Sequence, residues 1–378
     1  MNFRGVNHQL VKIQNRNLIL KLIYERGSIS RQEISRIIGL TPATVTNITG
    51  ELLDEGFIME LPSFEEKSGS GRKAIPLAIN PSSGYVIGVD IGPRVIRIAK
   101  SNLLGHLSNI ETFQYDSQVR EDILEMLIEK LQVMKEDHNI LGIGIGIPGL
   151  VDSVSGELKF SPNLGWKNLK LAKPIRDALN LPVILENNVK AMALGEKWFG
   201  IGKKSNNFAL VYVSLGIGAG IIIDGRIYRG ANNGAGELGH TIVSENGEVC
   251  NCGKRGCLET FASARAIVKR FKGIPGDEDT DINEIRVALE KGDIKALEIV
   301  EKAGYYLGVG ISNLVNMFDP EMIILSGRVV RLGRALLEPM KKALESRLFS
   351  ADKVNIEISQ LGKEIGLYGA SALALQKF

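Results

Sequence analysis

The stretch Gly236-Glu-Leu-Gly-His240-Thr-Ile-Val-Ser-Glu-Asn-Gly-Glu-Val-Cys250-Asn-Cys252-Gly-Lys-Arg-Gly-Cys257-Leu-Glu259 holds all three cysteines of a 378-residue chain and one of its four histidines. Zinc in a closed structural site takes four borderline donors in a tetrahedron, and three thiolates with one imidazole form one of its standard sets. Cys250 and Cys252 can grip one metal from a tight turn, while Gly253 and Gly256 let the backbone fold back to deliver Cys257. The competing reading, incidental thiols in a glycine-rich loop, does not account for their clustering in a chain so poor in cysteine. The pattern assigns structural zinc to His240, Cys250, Cys252 and Cys257.

Gly236-Glu237-Leu238-Gly239-His240 followed by Cys-x-Cys-Gly-x-x-Gly-Cys-x-Glu is very similar to the signature of the ROK family (repressors, open reading frames, kinases). The resemblance implies a sugar pocket beside the metal, where Glu237, His240 and Glu259 contact sugar hydroxyls and His240 serves both metal and pocket.

The length allows two or three domains with substantial cores. No apolar run approaches the ~18 residues of a membrane span, and the N-terminus lacks a signal-peptide pattern. Three clustered thiols fit a reducing cytoplasm better than a disulfide framework. A net charge of +3 permits a nucleic-acid partner only if positive charge is concentrated locally.

Residues 1 to 80 read as a winged helix-turn-helix. Gln14 to Tyr24 carries apolar residues at helical spacing and Gly27 closes it. Ser30 and Glu33 form a capping box for a helix from Arg31 to Ile38, which ends at Gly39. Thr41-Pro42 opens a third helix, with Thr41 as N-cap and Pro42 in the first helical position. Its short side chains, the polar Thr41, Thr44, Thr46 and Asn47 with the small Ala43, suit base edges and phosphates in a major groove, while Val45, Ile48, Leu52 and Leu53 pack inward. A strand at 56–61, a Gly/Ser-rich tip and a strand at 74–79 read as a wing, with Arg72 and Lys73 placed to meet DNA. The segment resembles the winged helix of the repressor branch of the ROK family.

After the turn cluster Asn80-Pro81-Ser82-Ser83-Gly84, a buried strand at 85–92 is followed by strands at 94–100 and 104–113, a helix at 119–137 and a strand at 140–147. This order resembles one lobe of the α/β ribonuclease H-like fold of actin and the sugar kinases. A second lobe reads from Phe208 onward, with helical patterns at 261–271, 281–291, 294–302, 303–318 and 331–347. The expected divisions are a first lobe at 81–192, with a C-terminal helix at 363–378 packing back on it, and a second lobe with the zinc loop at 193–362.

The resemblance also implies sugar contacts at Asn163, Asn187 and Asn188. The ROK kinases carry Glu-Asn-Asp where this chain has Glu186-Asn187-Asn188, and that aspartate takes the proton of the attacking hydroxyl. A carboxamide cannot act as that base, and losing one forfeits ~10²–10⁴ in rate. In the first phosphate loop Asp90-Ile91-Gly92-Pro93-Arg94 replaces Asp-x-Gly-Gly-Thr, and Ile217 stands where the second loop has Thr. ATP is therefore not expected, and residue 188 is a degenerate base position. The expectation is a cytoplasmic, sugar-responsive regulator acting as a homo-oligomer on operator DNA. The rival is an ATP-dependent sugar kinase, for glucose or N-acetylglucosamine, with an appended DNA-binding domain.

Overall fold

The computed structural model describes residues 8–62, 75–115, 120–136, 139–273, 278–349 and 353–376. The N-terminal unit runs α1 (His8–Arg26), β1 (Ile29–Ser30), α2 (Arg31–Ile38), α3 (Pro42–Asp54), β2 (Ile58–Glu60) and β3 (Pro76–Ile79). Local capping chemistry sets its helix ends. Glu33 N donates to Ser30 Oγ at 3.3 Å while Ser30 N donates to Glu33 Oε2 at 3.1 Å, a closed capping box. Gly39, at φ 77°, ends α2, and Thr44 N donates to the Thr41 hydroxyl at 3.3 Å to start α3. Val45, Ile48 and Leu52 are buried, and Leu53 packs beside them. The strands form an antiparallel sheet of order β1-β3-β2, with Ile58 opposite Ile79. Arg72 and Lys73, on the β2–β3 connection, lie outside the described residues.

In the first lobe β4 (Tyr85–Ile91), β5 (Val95–Asn102) and β6 (Leu107–Gln114) make an antiparallel meander. After α4 (Arg120–Lys135), β7 (Ile140–Ile147) returns parallel to β4. Nearly every β7 residue is buried because both faces of the sheet are covered. A small sheet of β8 (Leu150–Asp152), β9 (Glu157–Ser161) and β10 (Trp166–Lys170) precedes α5 (Ala172–Leu179) and β11 (Val183–Asn187). The main sheet has order β11-β7-β4-β5-β6, and α6 (Asn188–Phe199) leaves directly from its edge strand.

The second lobe repeats this plan. β12 (Phe208–Val213), β13 (Ile217–Ile223) and β14 (Arg226–Ile227) form the meander, followed by α7 (Glu259–Ala262), α8 (Ala264–Lys272), α9 (Glu278–Glu290) and α10 (Ile294–Phe318). β15 (Met322–Ser326), α11 (Arg334–Glu345) and β16 (Asn355–Ile358) complete a sheet of order β14-β13-β12-β15-β16. Three antiparallel and two parallel strands in each lobe are the duplicated layout of the actin and sugar-kinase fold. The chain then crosses back, and α12 (Ile365–Leu375) lies on the first-lobe sheet. A Cβ on Gly144 would stand 1.9 Å from Ala370 O, so glycine there permits helix and strand backbones to touch.

The structure differs from the sequence pattern in three places. The patterns at 294–302 and 303–318 are one continuous helix, α10. Gly304 and Gly308 let α10 run close to α11, since Cβ atoms there would lie 2.3 Å from Leu336 O and 2.2 Å from Met340 O. The pattern at 261–271 is interrupted at Ser263, which accepts from Ala266 N at 3.2 Å and so caps a new helix. A lobe division at 192/193 falls inside α6, a single helix packed against both lobes.

Candidate functional site

The lobes enclose a cleft of about 970 Å³. Asn163, Asn187, Asn188, Glu237, His240 and Glu259 all line it. Asn163 projects from the β9–β10 turn, closed by Gly165 N donating to Ser161 O at 2.9 Å. Glu237 is exposed between two glycines that press the backbone onto β13. Cβ atoms on Gly236 and Gly239 would lie 1.9 Å from Ala219 O and 2.2 Å from Ile217 O. Glu259 Oε2 accepts Ile217 N at 3.1 Å, and burial holds its carboxyl above the ordinary range, with His240 opposing the rise. Gly216 passes beside that carboxylate; a Cβ there would be 2.5 Å from Glu259 Oε2 and 3.7 Å from Asn163 Nδ2.

Asn187 and Asn188 differ in freedom. Asn187 Oδ1 accepts Val189 N at 3.0 Å and Lys190 N at 3.1 Å as the cap of α6, and its Nδ2 donates to Gly149 O at 2.9 Å. Most of this carboxamide is thus committed to backbone. Asn188 Oδ1 accepts Val189 N at 3.0 Å, and Asn188 lines the cleft.

The ligand atoms of His240, Cys250, Cys252 and Cys257 all lie within 4.8 Å of one another. Cys250 Sγ stands 3.6 Å from His240 Nδ1, and Cys252 Sγ 3.6 Å from Cys257 Sγ. A tetrahedral ion with bonds of about 2.0–2.3 Å sets its donors about 3.3–3.8 Å apart, a range that includes both distances, so the set fits a metal. Bridges Ile242↔Cys257 and Val249↔Arg255 fold the loop into this shape. Burial pushes the bare Cys257 thiol up to about 12, and a bound cation supplies what a thiolate there requires.

At the other end of the cleft the turn after β4 is closed on itself. Gly92 N donates to Val95 O at 2.8 Å, Tyr115 Oη donates to Gly92 O at 2.5 Å, and Pro93 has no N–H. The Ile217 side chain is 5% exposed and belongs to the second-lobe core. Asp90, half-buried beneath, has its carboxyl pushed up to about 6 by burial, which Arg97 only partly offsets. Arg94, Arg97, Arg328, Arg331 and Lys363 line this half.

On α3, Thr41, Ala43, Thr46 and Asn47 are exposed. Thr44 is half-buried, with its hydroxyl 2.8 Å from that of Thr41, and so belongs to the cap as much as to the outer face. The Thr46 hydroxyl bonds back to Pro42 O at 2.8 Å, which leaves Asn47 the least committed polar side chain of the group.

Residues 86–377 match the sequence profile of the ROK family, and residues 14–67 that of the MarR family. The chain belongs to the ROK family. It is 37% identical over 390 aligned positions to the xylose repressor of Caldicellulosiruptor bescii, covering 98% of this chain and 97% of that one. A ROK family transcriptional regulator, a homolog of the E. coli MLC protein, superposes with a TM-score of 0.82 at 29% identity, covering 97% and 96%. A ROK glucokinase from Streptomyces griseus, solved with glucose and AMPPNP, gives 0.68 at 30% identity and covers 78% of this chain and all of its own. No helix among the described residues is long and apolar enough to cross a membrane.

Beside the cleft, a set of charged contacts escapes a reading by motif. Glu186 is fully buried, and its carboxylate accepts Asn187 N at 2.9 Å and Arg229 Nε at 2.6 Å. Lys190 is also buried and donates to Asn233 O. Arg229 and Asn233 belong to the segment leading to Glu237, so two cationic groups tie that second-lobe segment to the start of α6. The only sequence signal is a charge beside the asparagines, which does not say what it faces.

Proposed function

We propose that this sugar-responsive ROK regulator binds a neutral monosaccharide, D-xylose first among candidates, at the acidic and amide end of the cleft, and binds operator DNA through α3 and the wing. The gathering of Asn163, Asn188, Glu237, His240 and Glu259 around one volume carries the reading. Carboxylates accept from sugar hydroxyls, and the carboxamides both donate and accept, which orients a polyol. Xylose is put first because a full-length relative is named a xylose repressor. His240, Cys250, Cys252 and Cys257 would hold zinc, which supplies a cross-link for the loop when bound. His240 and Glu259 flank that cross-link, so loop order and pocket order go together.

Phosphoryl transfer is not part of the proposal. Asn188 offers no base, Pro93 and the bonded Gly92 N–H leave the first turn poor in phosphate donors, and Ile217 carries no hydroxyl. Operator binding as a homo-oligomer follows from the need to place two α3 helices in major grooves ~34 Å apart. Clustered thiols fit a reducing cytoplasm.

A thermal-shift and calorimetry panel of D-xylose, D-glucose and N-acetyl-D-glucosamine tests the effector. At ~100 times its dissociation constant a true ligand stabilises by ~2.7 kcal/mol. We expect one sugar to do so and to change the affinity of the chain for a duplex selected by it from a random DNA pool. Absence of any response across the panel, or of any selected duplex, overturns the reading.

A further inference from the structure

We propose that the contact of Tyr24 with the last turn of α6 is the joint through which the occupied cleft sets the attitude of the DNA-binding unit. The inference rests on the sugar and DNA reading above and names how the two are coupled. α6 reaches all three units of the chain. It begins in the cleft, capped by Asn187 and opening on Asn188. Its first turns lie against the second-lobe sheet so closely that a Cβ on Gly220 would stand 2.5 Å from Val189 O. Lobe closure around a ligand therefore presses directly on this helix.

α6 cannot absorb that push alone. It crosses α12 backbone to backbone, where a Cβ on Gly195 would be 2.8 Å from Gly369 N and one on Gly369 2.5 Å from the Ala191 carbonyl carbon. The two helices tilt as one body. Near its far end the buried Glu196 carboxylate accepts Ile201 N at 3.0 Å and the hydroxyl of Ser359, from the second lobe. Packed interiors transmit such displacement because they are dense.

The last turn is where α1 attaches. Trp198 O is one of the carbonyls a helix C-terminus leaves without an intrahelical donor, and Tyr24 Oη donates to it at 3.0 Å. The Tyr24 and Trp198 rings stand 5.2 Å apart, and Phe199 continues the stack to Tyr368 of α12 at 5.7 Å. Burial raises the Tyr24 phenol, so it stays a neutral donor. Ile19, Leu22 and Ile23 of α1 share one core with Val86, Leu103 and Ala374 of the first lobe. The DNA-binding unit is thus held by a covalent link at residues 80–84 and by a packed seam, rather than hanging from a tether. Tyr24 and Trp198 are positioning residues; neither lines the cleft.

Reciprocal linkage supplies the test, because a coupled sugar and DNA must change each other's affinity by the same factor, typically ~5–150-fold. Sugar dissociation constants are measured on full-length protein, with the panel sugar that binds, in the absence and presence of saturating selected duplex. Wild type is expected to show a ratio of at least ~5. Tyr24→Phe removes only the hydroxyl, and Tyr24→Leu and Trp198→Leu remove the ring contact. Each should bring the ratio toward one while separate sugar and DNA affinities stay near wild type, a pattern that mere loss of stability does not produce. A ratio that stays at the wild-type value in Tyr24→Phe and in Tyr24→Leu overturns the joint and leaves the regulator reading standing. A wild-type chain that binds none of the sugars overturns that reading itself.

Discussion

A carboxamide at position 188 accepts a hydrogen bond from a sugar hydroxyl but cannot take its proton. Restoring the carboxylate with Asn188→Asp should nonetheless yield little phosphoryl transfer. A base gains nothing unless a phosphate is held in line, and Gly92 N–H is already bonded to Val95 O. A coupled ATP-consumption assay should stay below ~1 per second for wild type and variant; wild-type turnover within ~1–10³ per second would show an active kinase. Asp90 makes a pH prediction. Its carboxyl is raised from 3.8 to about 6, so the folded chain holds a proton that the unfolded chain has released. Stability contributed through this group is present below about pH 4 and is lost as pH rises to about 6. Asp90→Asn should match wild type in denaturant titrations near pH 4 and exceed it by about 3 kcal/mol at pH 7.

At the scale of elements, α3 and the metal loop are each organised by short-range chemistry. Thr41 and Thr44 hold the start of α3, whereas Asn47 is exposed and uncapped. Asn47→Ala should lower affinity for the selected duplex by about 1–3 kcal/mol, as loss of a base-edge contact does, and leave the melting temperature alone. Thr41→Ala should instead cost about 0.5–2 kcal/mol of stability. Equal losses on selected and random duplexes for Asn47→Ala would remove it from the reading face. In the metal loop, Cys252→Ser breaks the donor set. Elemental analysis should find one zinc per wild-type chain and loss of it in the variant, together with a loss of sugar affinity of at least about 10-fold. Metal-free wild type with unimpaired sugar binding would separate loop from pocket.

In the whole molecule two lobes meet on a shared helix beside the N-terminal unit, and the ion pair of fully buried Glu186 with half-buried Arg229 spans the lobes at 2.6 Å. Removing Arg229 strands the charge of the fully buried Glu186. Arg229→Ala should therefore destabilise the chain by about 3–5 kcal/mol, and Glu186→Gln combined with it should recover much of that loss. The same double-mutant cycle read by calorimetry should show weaker sugar binding in the single variant, since Arg229 leads toward Glu237. Additive effects in the cycle would mean the pair carries no coupling between the lobes.

Sequence spacing by itself determined the capping box at Ser30, the start of α3 at Thr41-Pro42, the meander of the first lobe and the His/Cys donor set. Each depends on residues close together in the chain, where backbone geometry leaves few alternatives. Arg72 and Lys73 stay at the level of sequence, outside the described residues. Only the tertiary structure decided the rest. The patterns at 294–302 and 303–318 read as two helices until α10 is seen to run through them with Gly304 pressed against α11. That the Asn187 carboxamide caps α6 through Val189 and Lys190 and reaches Gly149 O is visible only in the fold. Tyr24 and Trp198 are 174 positions apart, and nothing in either residue's neighbourhood announces the other. Local rules decide where helices and strands begin and end; which side chains meet depends on how the lobes stack, because packing joins residues by shape and distance in space and not by their order along the chain.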